Sequence, residues 1–294
     1  MTTMDLQQPR SLDEATALLA QHGDDARIIA GGTAVVIMLK NRLIAPEVLV
    51  SLQSLDGLRG VEPAEDGGLR IGALASLSEV ERSPLVQQRF PTLSAALHEV
   101  GNVRVRNAAT IGGNLSEADY ASDPPCVLLA ARARVKAASA SGVREIPLTE
   151  FFADFYQTTL RPDEVLTDLI VPAQTPSVRS TYIKYVTRSS EDRPCIGVAA
   201  FVDVDGDGRC RDLRVAVGAA AATPHELESA EKLAVGQKLT VELAKEIAEQ
   251  YAQAIDPISD LRGSAWYRTQ MVRVFVRDAI LQAAQSSAEA RDGV

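Results

Sequence analysis

Two glycine pairs, 81 residues apart, carry the clearest chemical signal in the chain. The first lies in Arg27-Ile28-Ile29-Ala30-Gly31-Gly32-Thr33, the second in Ala109-Thr110-Ile111-Gly112-Gly113-Asn114. Each is a short apolar run, then two glycines, then a small polar residue. Glycine lets backbone N–H groups approach a ligand closely and adopts positive φ without strain. Several such amides in a row make an anion-binding concavity. Two concavities in one domain suggest a diphosphate or a nucleotide held from two sides. Either pair alone is better explained as a tight turn with no ligand; the two together point to binding. The usual nucleotide signatures are absent: there is no GxGxxG after a strand and no GxxxxGK(S/T).

Other reactive residue types are sparse. Cys126, Cys195 and Cys210 are widely spaced with no CxxC, which excludes a zinc ribbon and a four-cysteine cluster. They read as reduced, buried thiols. His22, His98 and His225 stand apart from one another and from the cysteines, so no metal-ligating set is expected. Asp203-Val204-Asp205-Gly206-Asp207-Gly208 imitates the start of a calcium loop, but the twelfth position, where a Glu is needed, is Arg214. Its flanks read as strands, so a hairpin turn is expected. No acid–base pair or nucleophile is evident, so no catalytic side chain is expected.

The elements that must position the glycines can be read from pattern. Ser11 and Glu14 form a capping box ahead of a helix that Gly23 ends. A strand over 27–30, a glycine turn and a short helix over 34–40 follow, with the helix's orphan N–H groups facing the turn. Segment 48–52 reads as a strand, and 58–62 with 69–73 as a hairpin. Ser76 and Glu79 form a second capping box, and Phe90-Pro91 precedes a helix over 92–100. The second glycine pair is expected on a strand-to-loop stretch, with Arg104 and Arg106 just upstream. Segment 126–131 reads as a helix, and 134–138 with 143–147 as a hairpin. Residues 172–177 form a linker. Strands over 181–187, 195–204 and 210–217 come next, then helices over 224–234, 241–254 and 265–284. Sheet first and helices after is an α+β layout. Trp266 is expected to pack between domains or subunits.

The chain has 294 residues, 46% of them apolar, enough for two domains with real cores. A net charge of −9 argues against a nucleic-acid surface. No apolar stretch is long enough to span a bilayer, and residues 1–10 lack the apolar run of a secretory signal. A cytoplasmic protein is expected.

The strings AGGT at 30–33 and TIGGN at 110–114 resemble those of the FAD-binding, medium subunit of the molybdenum hydroxylases, the xanthine dehydrogenase and aerobic CO dehydrogenase family. The resemblance runs nearly end to end. It includes Leu160-Arg161-Pro162-Asp163-Glu164-Val165-Leu166, Tyr182-Ile183-Lys184 with Arg188, and Asp260-Leu261-Arg262-Gly263-Ser264-Ala265. It implies a two-subdomain FAD-binding domain of the vanillyl-alcohol-oxidase (PCMH) type over 1–175. A smaller α+β C-terminal domain follows over 177–285, with a tail at 286–294.

By position, the resemblance implies that Ile28, Ile29, Ala30, Gly31, Gly32, Thr33, Ala34 and Val35 form the loop whose amides hold the FAD diphosphate. Thr110, Ile111, Gly112, Gly113 and Asn114 match the second loop. Asp123 matches a carboxylate that contacts the cofactor, and a carboxylate suits ribose hydroxyls. Val100, Leu166 and Lys184 match further contact positions. Tyr182, Lys184 and Val186 share one strand face, so Lys184 is placed to point at the flavin, where its charge would stabilise the reduced, anionic form. The alternative is a solvent-facing lysine. One departure stands out: many relatives have Cys two residues after the TIGGN asparagine, and this chain has Ser116.

The resemblance implies an electron-transfer subunit. Substrate would be oxidised at a molybdopterin centre on a large subunit. Electrons would pass through 2Fe–2S clusters on a small subunit to this FAD, and on to NAD, a quinone or oxygen. A dimer of heterotrimers is implied, with molybdopterin and clusters only on the partners. Two alternatives remain open: a free-standing flavin-dependent oxidoreductase, and a non-catalytic nucleotide-binding assembly protein.

Overall fold

The computed structural model describes residues 4–285; the expected tail at 286–294 lies outside the described residues. The chain forms two compact units that interleave along the sequence. In the described residues one comprises 4–88, 102–119 and 133–172, and the other 89–101, 120–132 and 173–285.

The first unit contains two larger sheets and a two-stranded ribbon of Phe152–Asp154 with Gln157–Thr158. Strands Asp5–Gln7, Val48–Ser51 and Ala26–Ile29 lie side by side and parallel, with Val48–Ser51 in the middle. Helix Leu12–His22 is N-capped by Ser11, whose hydroxyl accepts from the Glu14 amide, and ends at Gly23. Its apolar face meets the sheet: Ala15 and Leu19 join Val48, Val50 and Leu52 in one core. The second sheet is antiparallel, in the order Val61–Pro63, Leu69–Gly72, Val165–Val171, Arg134–Ser139, Gly142–Pro147. Val165–Val171 is its central strand and is buried at every residue. Asp168 is tolerated there because Arg70 pairs with its carboxylate and Thr167 donates to it. Glu164, just before that strand, is sealed by Arg144 through two hydrogen bonds of 2.7 and 2.9 Å.

The second unit is built on the antiparallel sheet Val178–Tyr185, Ile196–Val204, Cys210–Gly218, His225–Glu226. Strand Ile196–Val204 is buried over its first seven residues because both its faces are covered. Alternate residues Ile196, Val198, Ala200 and Val202 pack with Val272, Val276, Ile280 and Tyr251 from helices Val241–Ala254 and Ala265–Gln285. On the other face lies helix Asp123–Ala130, whose Cys126 thiol donates to the Ala216 carbonyl at 3.0 Å. This packing explains why 120–132, early in sequence, belongs with the later sheet. The Asp260-to-Ala265 motif is pinned by fully buried Arg268, which donates to the Cys195, Ile258 and Gly263 carbonyls and to Asp260.

Two expectations need correction. The stretch around the second glycine pair is helical, with Val103–Ala108 and Ile111–Glu117 in place of a strand and loop. The alternating Val103, Arg104, Val105, Arg106 looks like a strand, but Asn102 and Thr110 cap a helix each and override that preference. Segment 224–234 opens as the edge strand His225–Glu226 before helix Glu228–Glu231 begins. Trp266 is 71% exposed among the described residues. The Asp203-to-Gly208 stretch is a hairpin turn, as expected: Asp205 Oδ1 accepts from the amides of Asp207 and Arg209. No helix among the described residues is long and apolar enough to cross a membrane.

Candidate cofactor-binding site

The first glycine string leaves the parallel sheet at Ile29 and turns into helix Val35–Lys40. Ile28 to Val35 are all half-buried. The amides of Gly31, Gly32, Thr33, Ala34 and Val35 make no hydrogen bond to any described residue, while Val36 N–H already bonds to Gly32 O. Five successive donors are thus unspent, a costly arrangement unless water or a ligand meets them. Gly31 is required by close approach: a Cβ there would lie 1.9 Å from the carbonyl oxygen of Ala108. Gly32 has φ of +72°, a conformation L side chains rarely adopt. The loop therefore rests directly on the backbone that leads into the second glycine string.

The second string is built differently. Thr110 is the N-cap of helix Ile111–Glu117, and its Oγ1 accepts from Gly113 N–H at 3.1 Å. Ile111 N–H donates to Ala75 O and Gly112 N–H to Ala73 O, both at 2.9 Å, and Asn114 N–H to Thr110 O at 2.9 Å. Every amide from Ile111 to Asn114 is spent inside the protein. The string thus offers no row of unspent amides like that from Gly31 to Val35. Gly112 is glycine for packing, since a Cβ would lie 2.6 Å from that of Ala73. Ala73 N–H in turn donates to Thr167 O at 2.9 Å, one residue beyond Leu166, where the register shifts. Leu166 is buried in the same unit.

The remaining candidates lie in the second unit. Asp123 opens helix Asp123–Ala130 and is almost fully buried. Lys184 Nζ donates to Asp123 Oδ2 at 3.1 Å and to Glu99 O at 2.6 Å. Its side chain is 5% exposed, which excludes the solvent-facing alternative. Val100 follows the Glu99 carbonyl that Lys184 reaches, and is half-buried. Tyr182 Oη donates to Asp123 Oδ1 at 2.6 Å. Burial pushes the Asp123 carboxyl up to about 6, against the opposing pull of Lys184 and Tyr182.

Residues 2–174 match the family model described as "FAD binding domain in molybdopterin dehydrogenase", and 181–283 match "CO dehydrogenase flavoprotein C-terminal domain". This chain belongs to the FAD-binding subunits of the molybdenum hydroxylases. Among relatives of the flavoprotein subunit, the glyceraldehyde dehydrogenase medium chain of Sulfolobus acidocaldarius is 34% identical, over 93% of this chain and 96% of that one. The 6-hydroxypseudooxynicotine dehydrogenase complex subunit alpha of Paenarthrobacter nicotinovorans is 33% identical, over 93% and 92%. In the solved carbon monoxide dehydrogenase of Hydrogenophaga pseudoflava, a chain superposes with a TM-score of 0.92 at 32% identity, covering 96% of this chain and 97% of that one. The cofactor of this subunit is FAD, and the chain is a flavoprotein oxidoreductase subunit of the α+β, two-domain type.

The Gly31–Val35 loop suits that cofactor, because a row of unspent amides is the donor set a diphosphate requires. Three contributors were assigned no role from the sequence: Ala108, whose carbonyl supports the loop, Ala73, which takes up the Gly112 amide, and Tyr182, which completes the Asp123 group. Only Tyr182 leaves a sequence trace, two residues before Lys184 on one strand face.

Proposed function

We propose that this flavoprotein is the electron relay of a molybdenum hydroxylase complex. The observation that carries the reading is the row of five unspent amides from Gly31 to Val35. In this reading Ile28 to Val35 hold the FAD diphosphate through backbone N–H groups. Thr110 to Asn114 support that loop and border the cofactor with side chains and α-carbons rather than amides. Leu166, Val100, Asp123 and Lys184 are further cofactor contacts, with Lys184 supplying positive charge. Residues 1–175 act as the FAD-binding domain and 177–285 as the C-terminal domain. Bound FAD supplies two-electron redox chemistry, taking electrons from the 2Fe–2S clusters of a small subunit and yielding them to NAD, a quinone or oxygen. Substrate oxidation falls to a large molybdopterin subunit, in a dimer of heterotrimers located in the cytoplasm. Relatives with complex or medium-chain names support an assembly of this kind.

Gentle affinity purification of the chain from its native host, followed by cofactor analysis, tests this reading. The expected result is FAD on this chain, with one iron-bearing and one molybdenum-bearing partner. Turnover of a small organic substrate by the chain alone would indicate a free-standing oxidoreductase. Absence of a flavin spectrum would overturn the relay and favour a non-catalytic assembly protein.

A further inference from the structure

Asp123, Tyr182 and Lys184 form a closed group inside the second unit. The phenol takes one carboxylate oxygen and the ammonium the other. The strand register makes room for it: Lys184 stands opposite Gly197, and a Cβ on Gly197 would lie 2.7 Å from Tyr182 Oη. The hydroxyl thus fills the space that any larger residue at 197 would take. Gly197 O is itself near the Cys126 thiol, at 3.6 Å. A phenol is an expensive group to bury without a partner, and this one is spent on a carboxylate already paired with a lysine.

We propose that Tyr182 is a positioning residue for the FAD site: its hydroxyl holds Asp123 ionised and aimed at Lys184, and so sets the charge that Lys184 presents to the cofactor. This rests on the reading above that Lys184 borders FAD. Two charge-assisted hydrogen bonds keep a buried carboxylate ionised; with one removed, burial favours the neutral acid. The other titratable groups facing Asp123 do not substitute for Tyr182. Glu99 pushes the Asp123 carboxyl up further. Cys126 has its thiol pushed up to about 12 by burial and stays neutral. Burial also raises the Tyr182 phenol well above its ordinary value, so it remains a donor across the neutral range.

The test is a potentiometric titration of the FAD-loaded protein as a function of pH, with FAD content measured beside it. In the unsubstituted protein the plot of potential against pH should break near pH 6, where Asp123 ionises. Tyr182→Phe should move the break upward by about 1–2 pH units, the loss expected for one charge-assisted bond, with FAD content retained. Between the old and new break the variant's potential should be more positive, because Lys184 faces a protonated partner. Well above or below both breaks the two proteins should agree. Gly197→Ala, which displaces the hydroxyl without removing it, should shift the break in the same direction. Lys184→Met should lower the potential. An unchanged potential in Lys184→Met would overturn the placement of Lys184 beside FAD. A lowered potential there, with an unmoved break in Tyr182→Phe and Gly197→Ala, would overturn the role of Tyr182 alone.

Discussion

The two glycine strings look alike in sequence and are opposites in structure. Both place Gly-Gly ahead of a small polar residue, and both adjoin a short helix. From Gly31 to Val35 the amides are unspent. From Ile111 to Asn114 each amide already has an acceptor: Ala75 O, Ala73 O, Thr110 Oγ1 or Thr110 O. The first string is therefore suited to bind and the second to brace. A glycine pair is thus ambiguous between a ligand cradle and a tight packing joint. What separates the two is where the neighbouring N–H groups go, since every buried amide must find an acceptor.

Substitutions at the four glycine-string positions can break this comparison or sharpen it. The largest effect is expected from Gly31→Ala, which sets a methyl 1.9 Å from the Ala108 carbonyl. The loop must move, and the protein should purify without flavin. Absorbance-derived FAD per polypeptide measures this, and full occupancy would show that the loop is not the diphosphate cradle. Gly112→Ala comes next. Its methyl meets Ala73, so the expected cost is about 1–3 kcal/mol of stability from overpacking. Denaturant unfolding of the apo-protein reads it, and an unchanged midpoint would contradict the bracing role.

Thr110→Ala removes the cap from Gly113 N–H and should cost about 1 kcal/mol, with Thr110→Ser restoring most of it. A large loss of FAD affinity with no loss of stability would instead place the Thr110 hydroxyl on the cofactor. The smallest effect belongs to Gly113→Ala. Gly113 is exposed, and its added methyl would meet only the Thr110 hydroxyl, at 2.8 Å. Loss of that cap and alanine's helix preference over glycine, each about 1 kcal/mol, should nearly cancel, so stability should stay within about 0.5 kcal/mol and FAD content should be normal. Loss of flavin in this variant would restore the second string as a direct diphosphate contact through its backbone.

Much of the fold was legible because local signals agreed with one another. Ser11, Ser76 and Gly23 marked helix ends where the structure has them. The hairpins at 134–147 and 196–218 followed from period-two runs separated by Gly and Ser or Asp. The helix at 103–108 was missed because its β-branched, alternating residues imitate a strand, and Asn102 supplies the deciding cap. The edge strand at 225–226 was missed because two residues carry no period; only pairing with Ala216 and Val217 defines it. The family resemblance proposed a set of site positions, but how their amides are spent was not legible. Tyr182 and Lys184 could be assigned to one strand face from spacing alone, whereas their shared partner on a helix some 60 residues earlier could not.

The sequence by itself determined the α+β order of elements, the two glycine strings and their spacing, and kinship with the FAD-binding subunits of the molybdenum hydroxylases. These depend on residue type and periodicity, which act over a few positions. Tertiary structure alone decided that one string keeps its amides unspent while the other gives them to Ala73, Ala75 and Thr110. It also decided that Lys184 is sealed against Asp123 and Glu99 rather than facing water. Both outcomes turn on which distant carbonyl or carboxylate lies within about 3 Å of a donor. Distance of that kind is set by packing, and no local pattern of residues encodes it.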